Sequence, residues 1–155
     1  MKLKIIFFIV IFSIFSFVLK SQDKLLNLKD AKITLKNNIV LVINQPNPTG
    51  IVATSNGGIV SEGDLNRVAW KINDSTGTYT IPFWDTSKID FSYAIKTAGS
   101  SPGTLIASTR GTGADNLPLP TVAPAVEDLN INGTNGSAYV VDRYWILRKD
   151  GWTTL

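Results

Sequence analysis

The chain has 155 residues, no cysteine and no histidine, and 15 Lys and Arg against 12 Asp and Glu, a formal charge of +3. Those absences exclude disulfide staples, cysteine nucleophiles, Ser-His-Asp triads and zinc sites built from His or Cys. Lys2, Lys4 and Lys20 all fall within the first 21 residues, so beyond them 12 cations face 12 anions and no basic stripe is left for nucleic acid or an anionic membrane.

Residues 1–21 read as a signal peptide. Lys2 and Lys4 form a basic start, and Ile5–Leu19 is apolar except at Ser13 and Ser16. That run of 15 residues is shorter than the ~20 of a membrane-spanning helix. Cleavage is expected after Ser21, with Leu19 larger than usual at the third position before the cut and an uncleaved anchor as the alternative; no membrane attachment is expected after cleavage. Residues 22–30 read as a linker or short lead-in, and Asp23–Leu28 has the length for one helical turn. Residues 31–155 read as one β-rich domain; about 134 residues remain once 21 are removed, enough for one core.

Ala31, Ile33 and Leu35 alternate with Lys32, Thr34 and Lys36, a period of two. "IVLVI" (Ile39–Ile43) is apolar at every position, as in a strand covered on both faces. Gln45–Gly50 is a turn cluster. Val68, Trp70 and Ile72 share one face, and Tyr79, Ile81 and Phe83 share another; Pro82 lacks an N–H and points to an edge position. Ile89, Phe91, Tyr93 and Ile95 alternate with Asp90, Ser92 and Lys96. "TLIAST" (104–109) and "VEDLNIN" (126–132) follow among Gly-, Pro- and Asn-rich linkers. Tyr139–Leu147 is apolar on both sides and reads as an interior strand. Arg148–Gly151 reads as a hairpin connection, with Gly151 able to take positive φ. Its partner strand starts at Trp152 and stops at Leu155, so the domain is expected to be truncated at its C-terminus, with pairing to an earlier strand as the alternative. Short strands between turn signals predict an all-β, antiparallel β-sandwich-like module after an N-terminal signal helix. A β-solenoid is the alternative, although no fixed repeat period is visible.

"GGIVSEGDLNRVAWKI" (57–72), "TGTYTIPF" (76–83), "NLPLP" (116–120) and "VVDRYW" (140–145) occur in that order. The order resembles a group of large, uncharacterised exported proteins of Bacteroidota, cargo of the type IX secretion system. Those carry a G-Y/I-V-S-E segment, then N-x-V-x-W-x-I, G-T-Y-x-x-P-F and V-D-R-F/Y-W strands, and end in a sorting domain that this sequence lacks. The resemblance covers about residues 46–155. It implies passage across both membranes, contact with the export machinery, an extracellular or outer-surface location and a longer parent protein. It implies no catalytic residues.

Asp85, Asp90 and Asp142 are the candidate carboxylates for glycoside hydrolysis, which needs two such groups about 5–9 Å apart. Asp90 belongs to a solvent face and Asp142 sits beside Arg143, so ion pairing is the simpler expectation for both. Trp70, Trp84, Trp145 and Trp152, with Tyr79, Tyr93 and Tyr144, are the candidate sugar-stacking aromatics. Trp70 alternates with core residues, whereas Trp84 closes a strand and is expected to be exposed, the one expected ligand contact. Asp128–Gly136 mimics the start of a calcium loop, but Tyr139 stands where the twelfth-position Glu belongs, so strand plus turn is expected. Gly111–Asn116 lacks the strand-to-helix setting and the Lys of a phosphate loop. Asn73, Asn132 and Asn135 fit the N-x-S/T pattern, and Asp74-Ser75-Thr76 resembles the O-glycosylation signal of that phylum, with Ser75 as acceptor. The expectation is a secreted or cell-surface structural or adhesive module without catalytic activity, cofactor or metal. Its loops Pro46–Gly50 and Ser100–Asn116 would meet surface glycans or other surface proteins. A carbohydrate-binding or carbohydrate-active module is the alternative.

Overall fold

The structure, a computed structural model, describes residues 25–99, 102–114, 116–119, 130–131, 134–135 and 141–151. Every element among them is a strand. β1 (Leu26–Lys29), β2 (Lys32–Thr34) and β3 (Val40–Ile43) wind through one turn of a coil. β4 (Ile51–Ala53), β5 (Gly58–Val60) and β6 (Arg67–Asn73) wind through a second turn laid directly on the first. Each strand of the second turn pairs in parallel with the strand three before it, so Leu26 meets Ile51, Ile33 meets Ile59, Leu41 meets Val68 and Ile43 meets Trp70. Parallel register puts like on like, and the inward rows are apolar for that reason. The corners turn where Lys29, Asn37 and Asn38 take positive φ of 42°, 56° and 61°; Asn accepts that conformation because its short side chain can bond locally.

The coil then stops. β7 (Gly77–Trp84) touches β5 at the single pair Ile59–Phe83 and returns as β8 (Lys88–Ile95) in an antiparallel hairpin from Gly77–Ile95 to Trp84–Lys88. β9 (Gly103–Gly111) runs antiparallel to β6; β10 (Asn130–Ile131) and β11 (Thr134–Asn135) pair with each other; β12 (Arg143–Asp150) runs antiparallel to β9. Two four-stranded sheets result, ordered β12-β9-β6-β3 and β2-β5-β7-β8, beside the two-stranded β1-β4 pair.

The expected all-β, sandwich-like module is therefore present, but its sheets are mixed rather than antiparallel. The first half has the parallel stacking of a solenoid, because each pair of corners carries the chain forward into a new turn instead of reversing it. Four local expectations also change. Residues 26–29, expected as lead-in, form β1, with Leu28 buried. β3 is not covered on both faces: it is the outermost strand of its sheet, Ile43 is buried inside, and Val40 and Val42 are exposed outside. Pro82 is buried in β7, which has β8 beyond it; the missing N–H is tolerated because β5 meets β7 only at Phe83. β12 is an outermost strand of its sheet rather than an interior one, and Arg148, Lys149 and Asp150 extend it instead of turning, although Gly151 does take φ 82°. Residues 1–24, 136–140 and 152–155 lie outside the described residues, and so do the signal peptide and the start of the expected last strand.

Between the sheets Val68, Trp70 and Ile72 face Tyr79, Ile81 and Phe83, all fully buried, with Leu105 and Ala107 beside them. Burial of each large apolar side chain contributes about 1.5–3 kcal/mol. The Trp70 and Tyr79 rings meet edge to face at 5.1 Å and 88°, the arrangement their quadrupoles favour. Their polar atoms both reach one loop: Trp70 Nε1 donates to the Gln45 carbonyl at 2.6 Å and Tyr79 Oη to that of Pro46 at 2.7 Å.

Candidate functional site

Among the described residues, a dense polar cluster lies where the loop after β5 meets the end of β9 and the start of β12. Arg143 is its centre, with a side chain only 6% exposed. One guanidinium nitrogen donates to Glu62 Oε1 at 2.7 Å and to Thr109 Oγ1 at 3.2 Å, and the other donates to Asp85 Oδ2 at 2.8 Å. Glu62 comes from the β5–β6 loop and Asp85 from the β7–β8 turn, so one side chain fastens both sheets. The second oxygen of Glu62 accepts the Gly111 amide at 2.8 Å. Ser61, fully buried, donates to the Asn66 carbonyl and accepts the Thr109 amide at 3.2 Å.

A second pair continues the cluster. Arg110 Nε donates to Asp64 Oδ1 at 2.7 Å, and its terminal nitrogen donates to the Pro118 carbonyl. The Arg110 guanidinium also stands 5.4 Å from the Tyr144 ring centre. Tyr144 Oη donates to the Asn116 carbonyl at 3.1 Å. Burial pushes the Tyr144 phenol above its ordinary range, and the Arg110 charge partly offsets this.

The expected carboxylates are not gathered. Asp85 is bound to Arg143; Asp90 pairs with Lys88 at 3.3 Å on the opposite face of the hairpin from the core. Asp142 is exposed, and its backbone carbonyl accepts the Thr112 amide at 3.0 Å. Arg143 thus pairs with Glu62 and Asp85, not with its neighbour Asp142. Among the described residues no three carboxylates form a group able to hold a metal ion. Glu62, Asp64 and Arg110 were not singled out by sequence; the signal present was the acid pair in "SEGD" and an arginine near each strand end.

Trp84 is half-buried. Its side chain reaches over Gly58, where a Cβ would stand 2.9 Å from Trp84 Cβ. The Lys32 ammonium lies 3.9 Å from the ring centre, a cation–π contact that a stacked sugar would have to displace. Beside it a shallow groove of about 220 Å³ is lined by Ile51, Val52, Ala53, Thr80, Pro82, Lys88 and Asp90. Trp70 and Tyr79 are core, as their spacing predicts, while Trp145 is exposed on β12; Trp152 lies outside the described residues.

Of the loops expected to be displayed, Asn47, Thr49, Gly113 and Ala114 are exposed. Pro46–Gly50 is fastened by Tyr79 at the Pro46 carbonyl and by Trp70 at the preceding Gln45 carbonyl, and Asn47 Oδ1 accepts from the Thr49 amide at 3.0 Å. Within Ser100–Asn116, residues 103–111 are strand β9, and Ser100, Ser101 and Asp115 lie outside the described residues. The Ser75 hydroxyl is half-buried and bonds to Tyr79 Oη, so as a glycan acceptor it competes with a core contact. Asn73 is exposed at φ 53°. Asp128, Asn132 and Gly136 lie outside the described residues; the backbone pairs Asn130–Asn135 and Ile131–Thr134 form a hairpin there. Compared with protein-family models, curated proteins and solved structures, the chain has no match.

Proposed function

We propose that this chain is an exported structural or adhesive β module, secreted or held at the outer cell surface within a larger protein, with no chemistry of its own. The observation that carries this reading is the use of Arg143, Glu62 and Asp85 as a clamp between sheets at 2.7 and 2.8 Å. Arg143, Glu62 and Asp85, whose charges could otherwise serve a ligand, are engaged in holding strands together. A scaffold without disulfides has need of such fastenings, because it must survive outside the cell on burial and polar contacts alone. The test is attachment by cells that export the parent protein with and without residues 25–151. Loss of attachment on deletion, with full attachment in Asp90→Asn and Asp142→Asn variants, is expected; unaffected attachment would defeat the reading.

Carbohydrate binding is the second reading, favoured by the half-exposed Trp84 beside the groove of Thr80, Lys88 and Asp90. Saturable binding on a glycan array that Trp84→Ala abolishes would select it over the first.

A further inference from the structure

The outer strands of the two four-stranded sheets are not equally protected. β12 carries Arg148, Lys149 and Asp150, β8 carries Lys88 and Asp90, and β2 carries Lys32. Charges on an outer strand discourage a second sheet from pairing with it. β3 has no charge, proline or bulge, and Ile39, Val40 and Val42 beside and within it are 53%, 46% and 51% exposed. Among the described residues nothing guards this apolar edge, which makes it a pairing site.

Its sequence says with what. Asn38-Ile39-Val40-Leu41-Val42-Ile43-Asn44 reads the same in both directions. We propose that β3 pairs antiparallel with β3 of a second copy about a twofold axis through Leu41. The two sheets β12-β9-β6-β3 then become one continuous sheet. In this register Val40 lies across from Val42 of the second copy, Leu41 across from Leu41, and Ile39 across from Ile43. Every pair matches apolar with apolar on the same face, as antiparallel pairing requires.

The hydrogen-bonding directions agree. The Ile39 carbonyl accepts the Arg67 amide at 3.0 Å, so Ile39 and Leu41 direct their amide groups toward β6. Alternation along the strand then turns those of Val40 and Val42 outward. Val40 and Val42 of facing copies are the residues that this register makes exchange both N–H···O bonds. Ile39 of the second copy arrives at the mouth of a trough of about 330 Å³ lined by Leu25, Leu26, Leu41, Val42, Ile43 and Asn44. The flanking Lys36 falls across from Pro46, so no like charges meet.

Sedimentation equilibrium of the exported chain after leader removal tests this. A dimer is expected in reversible exchange with monomer. V40K and V42E should each raise the dissociation constant about tenfold, since the twofold axis repeats each loss of an apolar cross-strand pair. Both sites are exposed in the single chain, so the melting curve of the monomer should hardly move. V40K/V42E combined should dimerise again, because the register brings the two substituted positions face to face. A wild-type chain that stays monomeric would overturn the proposal and leave the edge to a foreign extended strand or to another segment of this chain. A dimer indifferent to both single substitutions, or a combined variant that stays monomeric, would overturn it equally.

Discussion

A single guanidinium, that of Arg143, joins segments 81 and 58 residues away in the chain. The two sides of this contact are unequal: the Arg143 side chain is 6% exposed, whereas those of Glu62 and Asp85 are 36% and 47% exposed. Removing the carboxylates strands a buried cation, while removing the cation leaves carboxylates that water can reach. Glu62→Gln with Asp85→Asn should therefore cost roughly 3 kcal/mol, against about 1–2 kcal/mol for Arg143→Met. Urea denaturation of the two variants checks the order, and equal losses would mean that the clamp acts through packing alone. Tyr79 makes a second prediction at this scale. Burial raises its phenol above the ordinary value of 10.0, while the Ser75 hydrogen bond offsets part of the rise. The unfolded chain then ionises first, so the contribution of Tyr79 is complete below about pH 10 and is lost as pH climbs through the folded value. Tyr79→Phe should cost about 1–2 kcal/mol at neutral pH by orphaning the Pro46 carbonyl. It should also flatten the alkaline fall in stability, which thermal melts across that range will show.

Among the elements, those whose partners are local were legible in the sequence. Val68-Trp70-Ile72 and Tyr79-Ile81-Phe83 each line one face of a strand because period-two burial is written in adjacent residues. The parallel pairing of β1 to β4, β2 to β5 and β3 to β6 was not, since the partners Leu26–Ile51, Lys32–Gly58 and Val40–Arg67 lie 25, 26 and 27 residues apart and no constant repeat results. "IVLVI" failed as a guide to depth because an apolar outer face is the same in sequence whether a second layer covers it or an edge leaves it bare. The clamp of Arg143 was out of reach for a related reason: its partners come from two distant loops, and the nearest acid, Asp142, is the wrong one. Contact between turns of the coil also rests on a residue with no side chain. A Cβ on Gly57 would lie 1.7 Å from the Lys29 carbonyl oxygen, a backbone atom that cannot step aside. Gly57→Ala should force the turns apart and cost at least roughly 3 kcal/mol, or prevent folding. Circular dichroism melts measure this, and near-wild-type stability would show that the corner can shift as a unit.

For the whole molecule, the sheet β12-β9-β6-β3 draws strands from Val40 to Asp150. Neither the coil nor the hairpins close the core alone: Val68 and Trp70 belong to one, Tyr79, Phe83 and Leu105 to the other. Unfolding should be a single transition, with tryptophan emission and far-ultraviolet dichroism coincident. Two separated transitions would show that the coil stands by itself. Refolding should be slow, on the scale of milliseconds to seconds or longer, because pairs such as Gly111–Arg143 must close long loops first.

β6 has a parallel neighbour on one side and an antiparallel neighbour on the other, and this asymmetry gives the architecture a direction of growth. On the side of β9 the reversed strand ends the winding. On the side of β3 each additional circuit would repeat the geometry already there, raising the stack by about 4.8 Å. Duplication of one such circuit would lengthen the protein like a spring gaining a loop while the sandwiched end kept its form.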